Sequence, residues 1–469
     1  MSRVILIAPL TDQFSGILDY GAPALGVHRV ASYLRQHGHE VEVYDCNLQG
    51  DEWLTNQLTA RWDIIGISIL ADTLYLSLEM FLRLRQAQPG ALLVAGGPEA
   101  TLNYQDIFDL SDCDVCVLGD GERPMLRLCD GEGKVQNIPG TIWRHYALPM
   151  NDGILANYFH DLNFADMGWR EYWVKNEEQG GDVARKNKLV RVVTASHCSR
   201  VNPCSFCSVN RIREFACGKV VKPASLGCPQ IRDLIAGILH DLPETTHIYF
   251  IEDSFLPLAR DIDEFCAVLS EFKDRVKYLG QVEVNSLSRE IVNKLADAGF
   301  IHLSCGVESA SNRLRKVVGK PIKAEKIEDV IQWCNACGIR CYYLIILFIP
   351  ESTMKDLWQN YETLTRWQAE NRVGVSVMPY MIPYRGAPVW TSEHQFGYER
   401  KVLSNGKVLK RPTVVWPSDP EVRKVMEEFM AREKEYVEAH LTEHGRRSKD
   451  YTGRLHVELL GEILREVEE

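Results

Sequence analysis

Three cysteines, Cys198, Cys204 and Cys207, share the short run Ala195-Ser196-His197-Cys198-Ser199-Arg200-Val201-Asn202-Pro203-Cys204-Ser205-Phe206-Cys207, with C-x5-C-x2-C spacing. Thiolates are the usual ligands of iron-sulfur clusters, and one loop can set three of them around a cube. The odd number is informative. Structural zinc closes on four ligands, whereas three cysteines on a 4Fe-4S cluster leave one iron open to an outside ligand. A zinc site completed by His197, or three plain core thiols, are the competing readings. The chain has 14 cysteines in all. Cys46, Cys129, Cys217, Cys228, Cys266, Cys305 and Cys341 stand singly and read as buried thiols. Cys113/Cys116 and Cys334/Cys337 have C-x2-C spacing, but neither pair has a second pair or a histidine beside it, so both are read as core.

The elements that must position this loop alternate strand with helix. Over the first 130 residues, strands are predicted at 4–9, 40–45, 64–70, 92–97 and 115–119, with helices at 24–37, 51–60 and 74–87 between them. Short continuous aliphatic runs separated by helices predict a parallel sheet covered on both faces, a doubly wound Rossmann-like domain over 1–137. Its ligand crevice is expected where the strands end, at 9–23, 71–75, Gly96-Gly97-Pro98-Glu99 and Gly119-Asp120-Gly121-Glu122. An irregular, aromatic-bearing connector is expected over 138–188, packed rather than floating. Six further strands follow at 189–195, 247–251, 278–284, 301–305, 340–348 and 373–379, with helices between them. They predict a partial (β/α)6 barrel over 189–390, with its chemistry at the strand carboxyl ends. The region 391–469 is expected to be mostly helical. The alternating charges of its tail, from about Glu421 to Glu469, suggest a solvated face, His440 and His444 included.

Composition narrows the class. The chain has 469 residues and a net charge of −11, which disfavours nucleic acid as a partner. The longest apolar stretch, 342–350, is far short of the roughly 20 residues of a spanning helix. The opening Val4-Ile5-Leu6-Ile7-Ala8 run ends at Pro9 as a strand would, so a cytoplasmic protein with reduced thiols and no membrane partner is expected.

The cysteine loop at the head of a six-unit barrel, with Phe206 before the last cysteine, resembles the radical S-adenosylmethionine enzymes. Phe250-Ile251-Glu252-Asp253-Ser254-Phe255 looks like that family's second strand, Gln281-Val282-Glu283-Val284-Asn285 its third, and Gly306-Val307-Glu308-Ser309-Ala310-Ser311 the end of its fourth. Pro383-Tyr384-Arg385-Gly386 follows the sixth. Arg35-Gln36-His37-Gly38-His39-Glu40-Val41 and Gly96-Gly97-Pro98-Glu99-Ala100-Thr101 are similar to the cobalamin-binding domain of the cobalamin-dependent subfamily. No D-x-H-x-x-G motif is present, so the resemblance implies cobalamin without a cobalt-ligating histidine from that motif.

The resemblance implies a 4Fe-4S cluster on Cys198, Cys204 and Cys207, S-adenosylmethionine on the open iron, and methylcobalamin in the N-terminal domain. It implies cosubstrate contacts from Phe206, Glu252, Asp253, Glu308 and Ser309. Tyr75, Gly97, Pro98, Gly119 and Glu122 are expected to face the corrin, and Tyr384 and Arg385 could line the substrate cavity. The activity implied is radical methylation of an unactivated carbon in a small-molecule or carrier-bound substrate, with flavodoxin or ferredoxin as electron donor. Ring contraction, cyclisation or rearrangement with the same cofactors is the close rival. A radical methylthiotransferase, with Cys46, Cys113, Cys116 and Cys129 on a second cluster, is the more distant one.

Overall fold

Alternation along the first strands explains the N-terminal domain. Val4 and Leu6 point into one hydrophobic layer, with Val27, Ala31 and Leu34 of the helix Leu25–Gln36 and Met125 of the helix Glu122–Asp130. Ile5 and Ile7 point into the other, with Leu74, Leu78 and Phe81 of the helix Leu74–Ala87. Successive strand residues face opposite ways, so an all-aliphatic run needs cover on both sides. A computed structural model describes the chain except residues 12–20, 51–59, 132–137, 145–161, 180–185, 197, 199, 201, 219–223, 257–260, 371–372, 392, 445–448 and 469. The helix expected over 51–60 falls almost wholly outside the described residues.

The strands β1 (Arg3–Ala8), β2 (Glu40–Asp45), β3 (Ile64–Ser68), β4 (Leu92–Gly96) and β5 (Val115–Val117) run parallel in the order β2-β1-β3-β4-β5. The order reverses between β1 and β3, and the crevice opens at that switch point. A sixth strand, β6 (Thr141–Trp143), adds antiparallel to β5 within the segment expected to be connector. Among the other described residues of that segment, Trp169 and Tyr172 of the helix Trp169–Gln179 are buried, and Tyr172 Oη donates to Asp45 at 2.7 Å.

The second sheet begins with β7 (Leu189–Val192). A two-residue ladder, β8 (Ala195–Ser196) on β9 (Ala224–Ser225), brackets the cysteine loop. Then come β10 (His247–Phe250), β11 (Lys277–Gln281), β12 (Phe300–Glu308), β13 (Arg340–Phe348) and β14 (Gly374–Tyr380). Their order β14-β13-β12-β11-β10-β7 is sequential and parallel, a six-strand barrel left open between β7 and β14. On the helix-facing side of the sheet, Phe250, Phe255, Phe265, Tyr278 and Phe300 form an aromatic cluster, with Phe255 and Phe300 stacked at 4.8 Å. Gly280 makes room for it, since a Cβ there would lie 2.4 Å from the Phe255 ring.

The C-terminal region is mostly helical, as expected, with one element added. It opens on an antiparallel hairpin, β15 (Phe396–Val402) and β16 (Val408–Val415), before the helices Pro420–His444 and Lys449–Glu468. Those helices are not merely solvated. Val422, Met426, Phe429, Leu460 and Ile463 join the barrel core. Among the described residues no helix is long and apolar enough to cross a membrane.

Candidate functional site

The loop leaving β7 is pinned from three directions. Ser205 N donates to Val318 O at 3.1 Å, Val389 N donates to Ser205 O at 2.7 Å, and Arg200 donates to Gly319 O. Arg200 also pairs with Glu283, just past β11, at 3.2 Å. Cys204 is buried, while Cys198 and Cys207 are partly accessible. Burial pushes Cys198 and Cys207 up to about 11, with the Asp253 carboxylate adding to the shift. Burial also raises Cys204, against the pull of Lys320 and Arg200. Their partners Glu308 and Glu283 push the thiol the other way, and burial remains the largest effect. Among the described residues no three metal-ligating side chains converge on a single-ion site. A cube does not require that, because each iron takes its own thiolate. His197 lies outside the described residues.

The acids at the strand ends take different roles. Glu252, buried after β10, accepts from Thr194 Oγ1 at 2.5 Å and is thereby fixed across to β7. Asp253 reaches the open mouth; its carboxyl is raised by desolvation, against the pull of Lys320 and Arg213. Ser254 Oγ is buried without a hydrogen-bond partner, a spare polar atom at the same strand end. Glu308 meets Lys320 Nζ at 2.6 Å in a buried pair. It sits at φ +67°, the one non-glycine residue with positive φ among those described, where the β12–β13 register shifts. Gly306 keeps that corner clear, since a Cβ there would lie 2.2 Å from Lys320 Nζ. Ser309 turns away from the mouth and donates to Asn360 Oδ1 at 2.9 Å. Phe206 packs against the cluster of Leu314, Val318 and Val389.

In the N-terminal domain a crevice of about 670 Å³ opens at the ends of β1, β3, β4 and β5. Gly97 and Gly119 line it with positive φ; a Cβ at Gly97 would stand 2.8 Å from Ile69 O. Both glycines are required by backbone conformation and close neighbours, Ile69 for Gly97 and Ala216 for Gly119. Glu122 lines its base, paired with Arg29 at 2.5 Å, and burial raises its carboxyl against Arg29's pull. Pro98 opens the helix Pro98–Leu102 outside that lining. Tyr75 faces the hairpin instead, donating to Val402 O at 3.4 Å.

A second cavity, of about 690 Å³, lies where the N-terminal domain, the loop after β14 and the hairpin meet. Its lining includes Glu99, Asp106, Tyr384, Arg385, Trp390 and Arg411. Arg385 pairs with Asp106 at 3.1 Å and lies over the Trp390 ring at 4.5 Å. The strand-end rims of the two sheets face one another. A Cβ at Gly119 would stand 2.7 Å from Ala216 Cβ, on the helix Val209–Cys217 that follows the cysteine loop, and Asp120 lies 3.5 Å from Arg213 on the same helix. Sequence reasoning missed Lys320, Arg200, Arg213 and the hairpin wall. Only the hairpin carried a local signal, Asn405-Gly406.

Comparison with known proteins matches both halves. Residues 18–128 match the B12 binding domain and residues 192–364 the Radical SAM superfamily. An uncharacterized methyltransferase, PH0819, from Pyrococcus horikoshii is 21% identical, over 83% of this chain and 82% of its own. An anaerobic magnesium-protoporphyrin IX monomethyl ester cyclase from Cereibacter sphaeroides is 24% identical over 66% of this chain and half of its own length. Among solved structures, the cobalamin-dependent S-adenosylmethionine radical enzyme OxsB with aqua-cobalamin bound superposes with a TM-score of 0.74 at 16% identity, over 99% of this chain and 71% of that one. The radical S-adenosylmethionine methyltransferase TsrM from Kitasatospora setae, with cobalamin and a [4Fe-4S] cluster bound, gives 0.62 at 16% identity, over 83% and 74%. At that identity the two structures speak to the fold. The family matches fall on the two sheets whose strand ends face one another, and the chain belongs to the cobalamin-dependent radical S-adenosylmethionine enzymes.

Proposed function

We propose that this protein is a methyltransferase that transfers a methyl group to an unactivated carbon, or a comparably unreactive centre, of a small metabolite or carrier-bound intermediate. The observation that carries the reading is the meeting of the two rims, which sets the glycine crevice directly against the helix leaving the cysteine loop. Two similar proteins named as methyltransferases support it.

Cys198, Cys204 and Cys207 would hold a 4Fe-4S cluster, and the residues fit one: three thiols on a pinned loop, with Lys320 and Arg200 offsetting negative charge at Cys204. The crevice at Gly97, Gly119 and Glu122 would hold part of a cobalamin. When bound, these groups and S-adenosylmethionine supply the one-electron and methyl-transfer chemistry, while the protein supplies geometry. Glu252, held by Thr194, is oriented to accept from an ammonium or ribose hydroxyl. Asp253 presents a second acceptor at the mouth. The second cavity, beside Tyr384 and Arg385, would admit the acceptor, and a flavodoxin or ferredoxin would supply electrons.

Anaerobic reconstitution with iron, sulfide and cobalt quantified is the test. About four irons and one cobalt per chain are expected. Cys198→Ser, Cys204→Ser or Cys207→Ser should lose the iron and keep the cobalt. Iron without cobalt overturns the cobalamin reading. Cosubstrate carrying a deuterated methyl group should label the product. If both cofactors bind and 5′-deoxyadenosine forms without label transfer, the chemistry is ring contraction, cyclisation or rearrangement. Cys46, Cys113 and Cys116 lie in one hydrophobic layer and Cys129 in the other, which speaks against a second cluster held by all four.

A further inference from the structure

The helix Val209–Cys217 begins two residues after Cys207 and lies directly on the crevice rim. Three contacts hold it there: Gly119 against Ala216, the rings of Tyr104 and Phe215 at 6.1 Å, and Asp120 with Arg213. The first two are apolar and set only distance. The third pair is largely enclosed, with side-chain exposures of 14% and 15%, yet stands at 3.5 Å, the loose end of an ion pair. Arg213 Nη1 is buried without a hydrogen-bond partner, so the guanidinium has donor capacity to spare. The Arg213 charge also pulls on the Asp253 carboxyl, whose own charge is felt at Cys198 and Cys207. One side chain therefore pairs with an acid of the crevice and acts at longer range on an acid of the cysteine-loop mouth.

We propose that Arg213 is a positioning residue that couples the two cofactor sites, so that filling the crevice and loading the cysteine loop each raise the affinity of the other. The inference rests on the reading of those sites given above. A ligand that orders the Gly119–Glu122 loop brings Asp120 to Arg213. A cluster that orders Cys207 fixes the start of the rigid helix that carries Arg213. Whichever comes first removes ordering that the second would otherwise have to do, and such coupling is reciprocal.

The experiment measures hydroxocobalamin affinity, by anaerobic titration followed in the visible spectrum, for cluster-loaded and cluster-free protein. In the wild type, loading should tighten binding about fivefold or more. The ratio should fall to near one in Arg213→Ala and Asp120→Asn, and Arg213→Lys should keep part of it. Circular dichroism reports whether each variant is folded. If Arg213→Ala is not, Asp120→Asn, which leaves the helix sequence intact, reads the same ratio. A ratio near one in the wild type, or an unchanged ratio in a folded Arg213→Ala or Asp120→Asn, overturns the inference and leaves the proposed function standing. Failure of the wild type to bind hydroxocobalamin at all overturns both.

Discussion

Glu308 occupies a left-handed backbone conformation that costs about 1–3 kcal/mol in a non-glycine residue, and what it gains is the buried contact with Lys320 beside Cys204. Removing one partner of such a pair strands the other's charge. Lys320→Met should therefore lose about 3–5 kcal/mol in denaturant unfolding. The double variant with Glu308→Gln should lose less than the two singles together, and additive losses would show that the pair is not coupled. Histidines set a second residue-scale behaviour. Burial, then the Arg340 charge, drives His302 down to about 3, and burial with Arg35 drives His28 down to about 4. The unfolded chain takes up these protons near pH 6.5 and the native one refuses them, so stability falls as pH drops from about 6.5 toward 4. At pH 5 each histidine's share of the loss is about 2 kcal/mol. His302→Gln removes one share, so the gap between urea midpoints at pH 7 and pH 5 should narrow; an unchanged gap would assign the acid sensitivity elsewhere.

Among the elements, the hairpin β15–β16 ties the C-terminal region to the N-terminal domain. Leu403 and Leu409 at its tip join the hydrophobic layer of Leu74, Leu78 and Phe81, Ser404 N donates to Glu79 at 2.7 Å, and Asn405 Nδ2 donates to Leu110 O at 3.1 Å. Leu409→Ala should cost about 2–5 kcal/mol and free the tip, seen as faster amide exchange over 396–415. If exchange there is unchanged, the tip is held by its polar contacts alone. This element also shows what the sequence could convey. Asn405-Gly406 between Val402-Leu403 and Lys407-Val408 is a strong hairpin signal, but it precedes the charged run 421–469 on which the helical reading of this region rests. The parallel strands were legible because strands buried on both faces are continuous aliphatic runs. β6, three residues long, has too little pattern to read. The cysteine loop was legible because its chemistry sits in adjacent residues. Lys320, Arg200 and Arg213 were not, because β12, β11 and the facing domain give them their meaning only in three dimensions.

At the scale of the whole molecule, an open barrel must manage two unpaired edges, and an exposed edge strand invites pairing with other chains. The final helix, Lys449–Glu468, answers for β14. Gly453 lets it press onto the strand so closely that a Cβ would stand 2.2 Å from Val375 O and 3.6 Å from Val377 N. That backbone cannot retreat, since Val375 and Val377 are paired with Tyr343 and Ile345 of β13. Gly461, farther along the same helix, gives a control. A Cβ there also meets a neighbour at 2.2 Å, but the neighbour is the Tyr361 ring, a side chain that can swing. Gly453→Val should therefore lift the helix, raise amide exchange along β14 and produce higher oligomers on sizing. Gly461→Ala should cost only the 1–3 kcal/mol of local overpacking and stay monodisperse relative to the parent. Equal behaviour of the two variants would mean that the helix follows the barrel's packing without guarding its edge.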